Sequence, residues 1–149
     1  MGAAFSWGIP MAWSAQQISV PAEAWLMFIS SLLWIVAYDT EYAMVDRDDD
    51  LKIGVKSTAI LFGDLDRLMI GILQASALLG FLLLGIELGY QHLYYVGLAL
   101  MAGLFAYQGW LIRDRQRDAC FEAFRNNIWV GVCLLLGTLF ELLIGAWLL

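Results

Sequence analysis

Six carboxylates stand within twelve positions of this chain: Asp39, Glu41, Asp46, Asp48, Asp49 and Asp50. Steps of three or four residues return to one face of a helix. If the helix that precedes this segment continues through it, Asp39, Tyr42, Asp46, Asp49 and Asp50 share a broad face. Asp46 and Asp50 then form an i, i+4 pair with side chains about 5–6 Å apart. Two bare carboxylates at that range repel each other appreciably. A bound Mg²⁺ offsets the repulsion. It prefers hard oxygen ligands, takes one or two carboxylates and leaves its other positions to water and substrate phosphate. The DxxxD spacing therefore fits a shared protein–metal–diphosphate site, with Asp46 and Asp50 as metal ligands. Lys52 and Lys56, again four apart, supply point charges for phosphate oxygens. Gly54 relaxes the backbone between them. Ser57 or Thr58 is placed to cap a short helix running through Ile60.

Other chemistry fits less well. Asp46, Asp48 and Asp50 occupy positions 1, 3 and 5 of an EF-hand loop, but Leu51 stands where Gly is required and Ser57 where Glu is required. An ion-conduction path calls for acids inside the membrane. Most of these acids lie beyond the apolar run, and Asp39 is the one closest to being embedded. The alternative to an enzyme is a non-enzymatic membrane protein whose acidic cytoplasmic loop binds cations. His92 is the one histidine of the chain, which excludes a histidine-based metal centre. Cys120, in a charged connection, and Cys133, in an apolar run, read as free thiols.

The elements that must position these residues are membrane helices. The chain has 149 residues, of which 62% are apolar and 15% charged, and a mean hydropathy of +0.74. Soluble domains are about 45–50% apolar. A net charge of −6 offers no basic patch for nucleic acid. A spanning helix needs about 20 mostly apolar residues. Runs at 24–44, 68–86, 93–112 and 128–149 meet that need, the last interrupted by Glu141. Glu141 fits either a cavity-facing role or a hydrogen bond in helix packing. A shorter run at 2–15 contains Pro10 and reads as the remainder of a helix that starts upstream, so the chain is expected to be a fragment. That gives an all-α membrane protein of about five transmembrane helices, with residues 1–149 forming a single membrane domain.

All eight basic residues fall in two connections: Arg47, Lys52, Lys56 and Arg67 in one, Arg113, Arg115, Arg117 and Arg125 in the other. Two spans separate these connections, so they face the same side, which the positive-inside rule places in the cytoplasm. The chain then starts inside and ends outside. The RDRQRD segment at 113–118 reads as a topology signal ahead of a lipid or carboxylate site. Gly85 and Gly89 form a GxxxG that straddles a helix end, and read as a packing glycine followed by a turn glycine.

The run AYDTEYAMVDRDDDLKIGVKSTAILFG at 37–63 resembles the second aspartate-rich signature of the UbiA superfamily of membrane prenyltransferases. Its wording is most similar to the branch that acts in bacterial ubiquinone synthesis. The likeness extends to FSWGIPMAW at 5–13 and ACFEAFRNN at 119–127. The resemblance implies a nine-helix bundle with a lipid-facing cavity, of which this chain supplies the last five helices. It implies transfer of a polyprenyl group from polyprenyl diphosphate to ring carbon 3 of 4-hydroxybenzoate, at a bacterial inner membrane and with Mg²⁺. Carried over, Asp46 and Asp50 are the metal-binding, catalytic acids. Asp39, Tyr42 and Asp49 are supporting groups, and Lys52 and Lys56 diphosphate contacts. Trp34, Tyr38 and Tyr42 are candidate aromatic faces near an allylic cation, although Trp34 and Tyr38 fit an interfacial aromatic belt better. The family's first signature, of the NDxxDxxxD type, does not occur in this sequence, so the missing N-terminal half is the expected partner.

Overall fold

The computed structural model describes residues 2–145, and every element in that range is helical. In chain order these are α1 (Gly2–Ser6), α2 (Gly8–Gln16), α3 (Ala22–Ile53), α4 (Thr58–Phe62), α5 (Asp66–Glu87), α6 (His92–Leu111) and α7 (Arg117–Gly145), with 3₁₀ turns at Gly63–Leu65 and Ile112–Asp114. Four stretches are long and apolar enough to cross a membrane: Ala22–Ile53, Thr58–Glu87, His92–Asp114 and Arg117–Ile144. The apolar run near the start is helical too, but broken at Trp7. Pro10 falls in the first turn of α2, where its missing N–H is not needed. Residues 146–149 of the expected last span lie outside the described residues.

The helix boundaries explain what the segments can do. No Gly or Pro interrupts the chain between Ala22 and Ile53, so α3 carries on past its apolar part and takes the acidic segment with it. Gly54 stops it in a left-handed conformation, φ +74°, and its N–H donates to the Asp50 carbonyl. Lys52 sits in the last turn, where its charge suits the helix dipole. Ser57 takes the N-cap position of α4, yet its side chain makes no capping bond, contrary to the expected role.

The start of α7 differs more. Residues 117–127 carry charges and read as part of a connection, whereas α7 begins at Arg117 and places Cys120 in the core. The reason is amphipathicity: Cys120, Ala123, Asn127 and Val130 recur at helical spacing and are all buried, while the charged residues between them point outward.

Two apolar clusters fill the interior. One joins Phe81 and Leu84 of α5, Tyr94, Met101 and Phe105 of α6, and Val130 of α7. The other lies at the acidic end and joins Ala37 and Met44 of α3, Ile70 of α5 and Ala123 of α7. In a membrane, lipid is as apolar as leucine, so close contact and polar bonds specify the packing. Helices α6 and α7 meet at glycines: a Cβ on Gly97 would stand 2.8 Å from the Cys133 carbonyl oxygen and 3.1 Å from Gly137 Cα. Gly85 has the packing role read from its sequence position, since a Cβ there would strike the Tyr94 ring, and Gly89 is the turn residue at φ +67°.

Glu141 resolves as helix packing. From α7 its carboxylate accepts the backbone N–H groups of Gln91, Leu93 and Tyr94 at 2.7, 3.1 and 3.3 Å. It caps the N-terminus of α6 from a neighbouring helix. Replacing Gly97 with Ala should destabilise the bundle by about 1–3 kcal/mol through overpacking against backbone. Thermal unfolding in detergent micelles checks this: Gly103, which has open space around it, tolerates the same change with no comparable loss.

Candidate functional site

The continued α3 gives the acidic residues the face expected of them. Tyr38 and Tyr42 both lean on Phe124 of α7, with ring centroids 6.0 and 5.0 Å apart. One turn further along, Asp46 faces Arg117 at the start of α7, Oδ1 to Nη2 3.7 Å. Asp49 lies 3.6 Å from the same guanidinium and accepts a hydrogen bond from Lys52 Nζ at 3.0 Å. The Asp50 side chain makes no hydrogen bond or ion pair among the described residues, and only its carbonyl is engaged, by Gly54 and Val55. Asp39 is half-buried on the same face, two turns before Asp46. Lys56 is exposed in the turn after α3 and so is not on the helix that carries Lys52.

These residues suit Mg²⁺ by donor chemistry. Asp46 and Asp50 offer hard carboxylate oxygens one turn apart, Asp46 is accessible and held only by a long ion pair, and Asp50 is uncommitted. Among the described residues no group of three or more His, Cys, Asp or Glu side chains gathers. The chain thus offers an open, two-carboxylate arrangement, of the kind Mg²⁺ uses with phosphate, and no closed cage. Beside it opens a cleft of about 510 Å³ with a mostly cationic rim: Arg47, Lys52, Arg115 and Arg117 against Asp48, Asp49 and Asp66.

Beneath this surface lies a clasp that the spacing of the charges did not reveal. Asp66, the first residue of α5, is fully buried. Arg115 grips it through Nε, at 3.1 and 3.0 Å from its two oxygens, and through Nη2 at 2.7 Å. Arg47 of α3 donates to the same carboxylate at 3.2 Å, and the Arg67 N–H at 2.7 Å. Arg115 also donates to the Asp64 carbonyl and holds a left-handed backbone, φ +51°, the one non-glycine residue to do so among those described. The hydrogen bonds to Asp66 raise the Arg115 pKa still further above its ordinary value. It brings the two basic connections together at one end of the bundle and sets Arg117, two residues on, over Asp46 and Asp49. The RDRQRD segment therefore does more than mark topology.

A second feature missed in the sequence is a buried polar network. Glu41 points into the bundle, away from the Asp46 face, and is fully buried. Gln74 of α5 donates to its Oε1 at 3.1 Å and Asn127 of α7 donates to its Oε2 at 2.8 Å. Gln74 also donates to Gln108 of α6 at 2.7 Å, and Gln108 to Asn126 at 3.0 Å. The available signal was burial pattern: Ala37, Thr40 and Met44, all buried, flank Glu41 at helical spacing.

With this geometry in view, similarity to known proteins decides the family. Residues 1–147 match the UbiA prenyltransferase family. The chain belongs to that family. It is 56% identical over 145 residues, 97% of its length, to a 4-hydroxybenzoate octaprenyltransferase from Alkalilimnicola ehrlichii. It is 59% identical over 88% of its length to the protein of that name from Aliivibrio salmonicida, and 57% identical over 93% to that from Coxiella burnetii. The chain spans about half the length of these curated relatives, 50%, 46% and 48% respectively. No solved structure matches it.

Because Asp66 alone offsets two guanidinium groups, Asp66→Ala should lower the stability of this UbiA-family chain by about 3 kcal/mol. The unfolding midpoint in micelles should fall accordingly. Arg115→Lys, which keeps the charge but loses the fork, should fall by less.

Proposed function

We propose that this chain carries the second aspartate-rich half of a membrane site that transfers a polyprenyl group from polyprenyl diphosphate to ring carbon 3 of 4-hydroxybenzoate. The observation that carries this reading is the Asp46/Asp50 pair itself: two accessible carboxylates one turn apart at the end of a membrane helix, in a chain whose relatives of that name match it over most of its length.

In this reading Asp46 and Asp50 would hold Mg²⁺, and Asp49 orients Lys52 and Arg117 beside them. When bound there, Mg²⁺ neutralises charge on the leaving diphosphate. Lys52, Lys56 and Arg117 add fixed positive charge around the same oxygens, and this electrostatic stabilisation is the main catalytic contribution of the chain. The allylic C–O bond breaks with its electron pair leaving on the diphosphate. The face of Tyr42, one turn before Asp46 on α3, lies nearest the site, where it stabilises the allylic cation, while Tyr38 and Trp34 lie about 12 and 18 Å back along the helix, beyond cation–π reach. The ring carbon next to the phenol hydroxyl attacks that cation, and loss of the ring proton restores aromaticity. In this reading the acidic end of the bundle faces the cytoplasm at a bacterial inner membrane, an orientation supported by the gathering of basic residues in the two connections there. The groups that help bind the acceptor, and the first half of the site, come from a segment equivalent to the first half of the relatives.

The test is prenylation of 4-hydroxybenzoate by membranes carrying this chain together with the first half of the Alkalilimnicola ehrlichii relative. Transfer should require added Mg²⁺ and stop with a chelator. Asp46→Asn or Asp50→Asn should each lower it by about a hundredfold or more, the loss seen when metal coordination is disturbed. A rate indifferent to both substitutions would refute the metal role.

A further inference from the structure

Between α3 and α7, above the acidic residues, runs an open groove of about 330 Å³ whose surface is almost wholly apolar. Trp34, Tyr38, Phe124, Asn127 and Ile128 line it, with the charged Arg125 at its edge. It is continuous with the acidic end through the aromatic ladder Trp34–Tyr38–Phe124–Tyr42. Twelve residues of helix separate Trp34 from Asp46, a rise of about 18 Å. A hydrocarbon chain anchored by a diphosphate at Asp46 has this groove as its path inward.

One polar bond fixes the groove wall. The Trp34 indole N–H donates to Asn127 Oδ1 at 2.8 Å. The Asn127 amide can present that oxygen in one orientation only. Its NH₂ group is taken up by Glu41 Oε2 at 2.8 Å and by the carbonyls of Ala123 and Phe124 at 3.1 and 3.3 Å. Turning the amide over would set oxygen against those three oxygens and NH₂ against the indole N–H. Glu41, which has acceptors alone to offer when ionised, biases the amide further in the same sense.

We propose that Asn127 is a positioning residue for the prenyl chain: polarised by Glu41, it holds the Trp34 indole as one wall of a hydrocarbon groove leading from the acidic segment between α3 and α7. The assignment of the groove's occupant rests on the prenyl-transfer reading above.

The network makes three variants behave differently. Asn127→Leu removes the indole's acceptor and frees Trp34. Asn127→Asp sets a carboxylate against Glu41 and disrupts the contact. Glu41→Gln alone is mild, because Gln74, Gln108 and Asn126 can turn their amides in concert to meet the new NH₂ group.

The readout is the Trp34 indole N–H resonance of the chain in detergent micelles, assigned by its loss in Trp34→Phe. It should shift and exchange faster in Asn127→Leu and Asn127→Asp, and stay near its wild-type position in Glu41→Gln. Farnesol, a prenyl chain without diphosphate, is the probe for the groove. It should shift the Trp34 resonance in the wild type, with the half-maximal concentration about fivefold higher in Asn127→Leu, a change on the scale of one neutral hydrogen bond. A resonance unmoved in Asn127→Leu overturns the positioning role. A wild-type resonance indifferent to farnesol overturns the groove assignment. Neither readout uses metal, diphosphate or turnover, so failure of prenyl transfer would remove the prenyl occupant and leave the Asn127–Trp34 contact standing, whereas failure of these readouts would leave the preceding reading untouched.

Discussion

A carboxylate buried in an apolar bundle must be given donors, and this constraint organises the molecule. Glu41 finds its donors on two other helices, Gln74 on α5 and Asn127 on α7, and Gln74 in turn engages Gln108 on α6. Four helices are thereby tied at one level by side chains with no alternative partner in lipid. Apolar contact fills the space between these helices, but between leucine and lipid it discriminates poorly. The amide network chooses which faces meet. What lies outside it follows: α3 and α7 are held side by side, so Tyr38 and Tyr42 rest on Phe124, and Arg117 stands over Asp46 and Asp49.

The acidic end adds a second fixed point of a different kind. Asp66 collects Arg47 from α3 and Arg115 from the turn before α7, so the residues flanking the Asp46 face are locked to the start of α5. The carboxylates of the site itself are left comparatively free: Asp46 is held at 3.7 Å, and Asp50 by nothing among the described residues. A rigid surround with uncommitted oxygens at its centre is what a cation shared with a substrate requires. Membership of the UbiA prenyltransferase family gives that arrangement its chemical context.

Much of this was legible in the sequence, for identifiable reasons. The unbroken helical run from Ala22 to Ile53 and its stop at Gly54 follow from where Gly and Pro do and do not occur, and they suffice to put Asp46 and Asp50 on one face. The family was legible because a signature of 27 residues, 37–63, is far more specific than a bare pair of acids. What escaped were pairings between distant positions. Asp66 and Arg115 are 49 residues apart and meet through a left-handed arginine that no local preference announces. Glu41 looked like one more member of an acidic cluster, although Ala37, Thr40 and Met44 already marked its side of the helix as interior. Charge at Asp118, Glu122 and Arg125 disguised the first turns of α7 as loop, because a helix lying partly outside the apolar layer alternates charged and small residues without losing its period.

The capping of α6 by Glu141 bears on how the chain is made. A ribosome releases α6 before α7, so the bare amides of Gln91, Leu93 and Tyr94 enter the insertion machinery ahead of the carboxylate that will satisfy them. Glu141 then arrives near the end of the last span as an ionisable group that would be costly in hydrocarbon by itself. Each is acceptable to the bilayer in the company of the other. The final two helices are thus suited to leave the translocon together as a hairpin, with the glutamate serving as the latch that closes it.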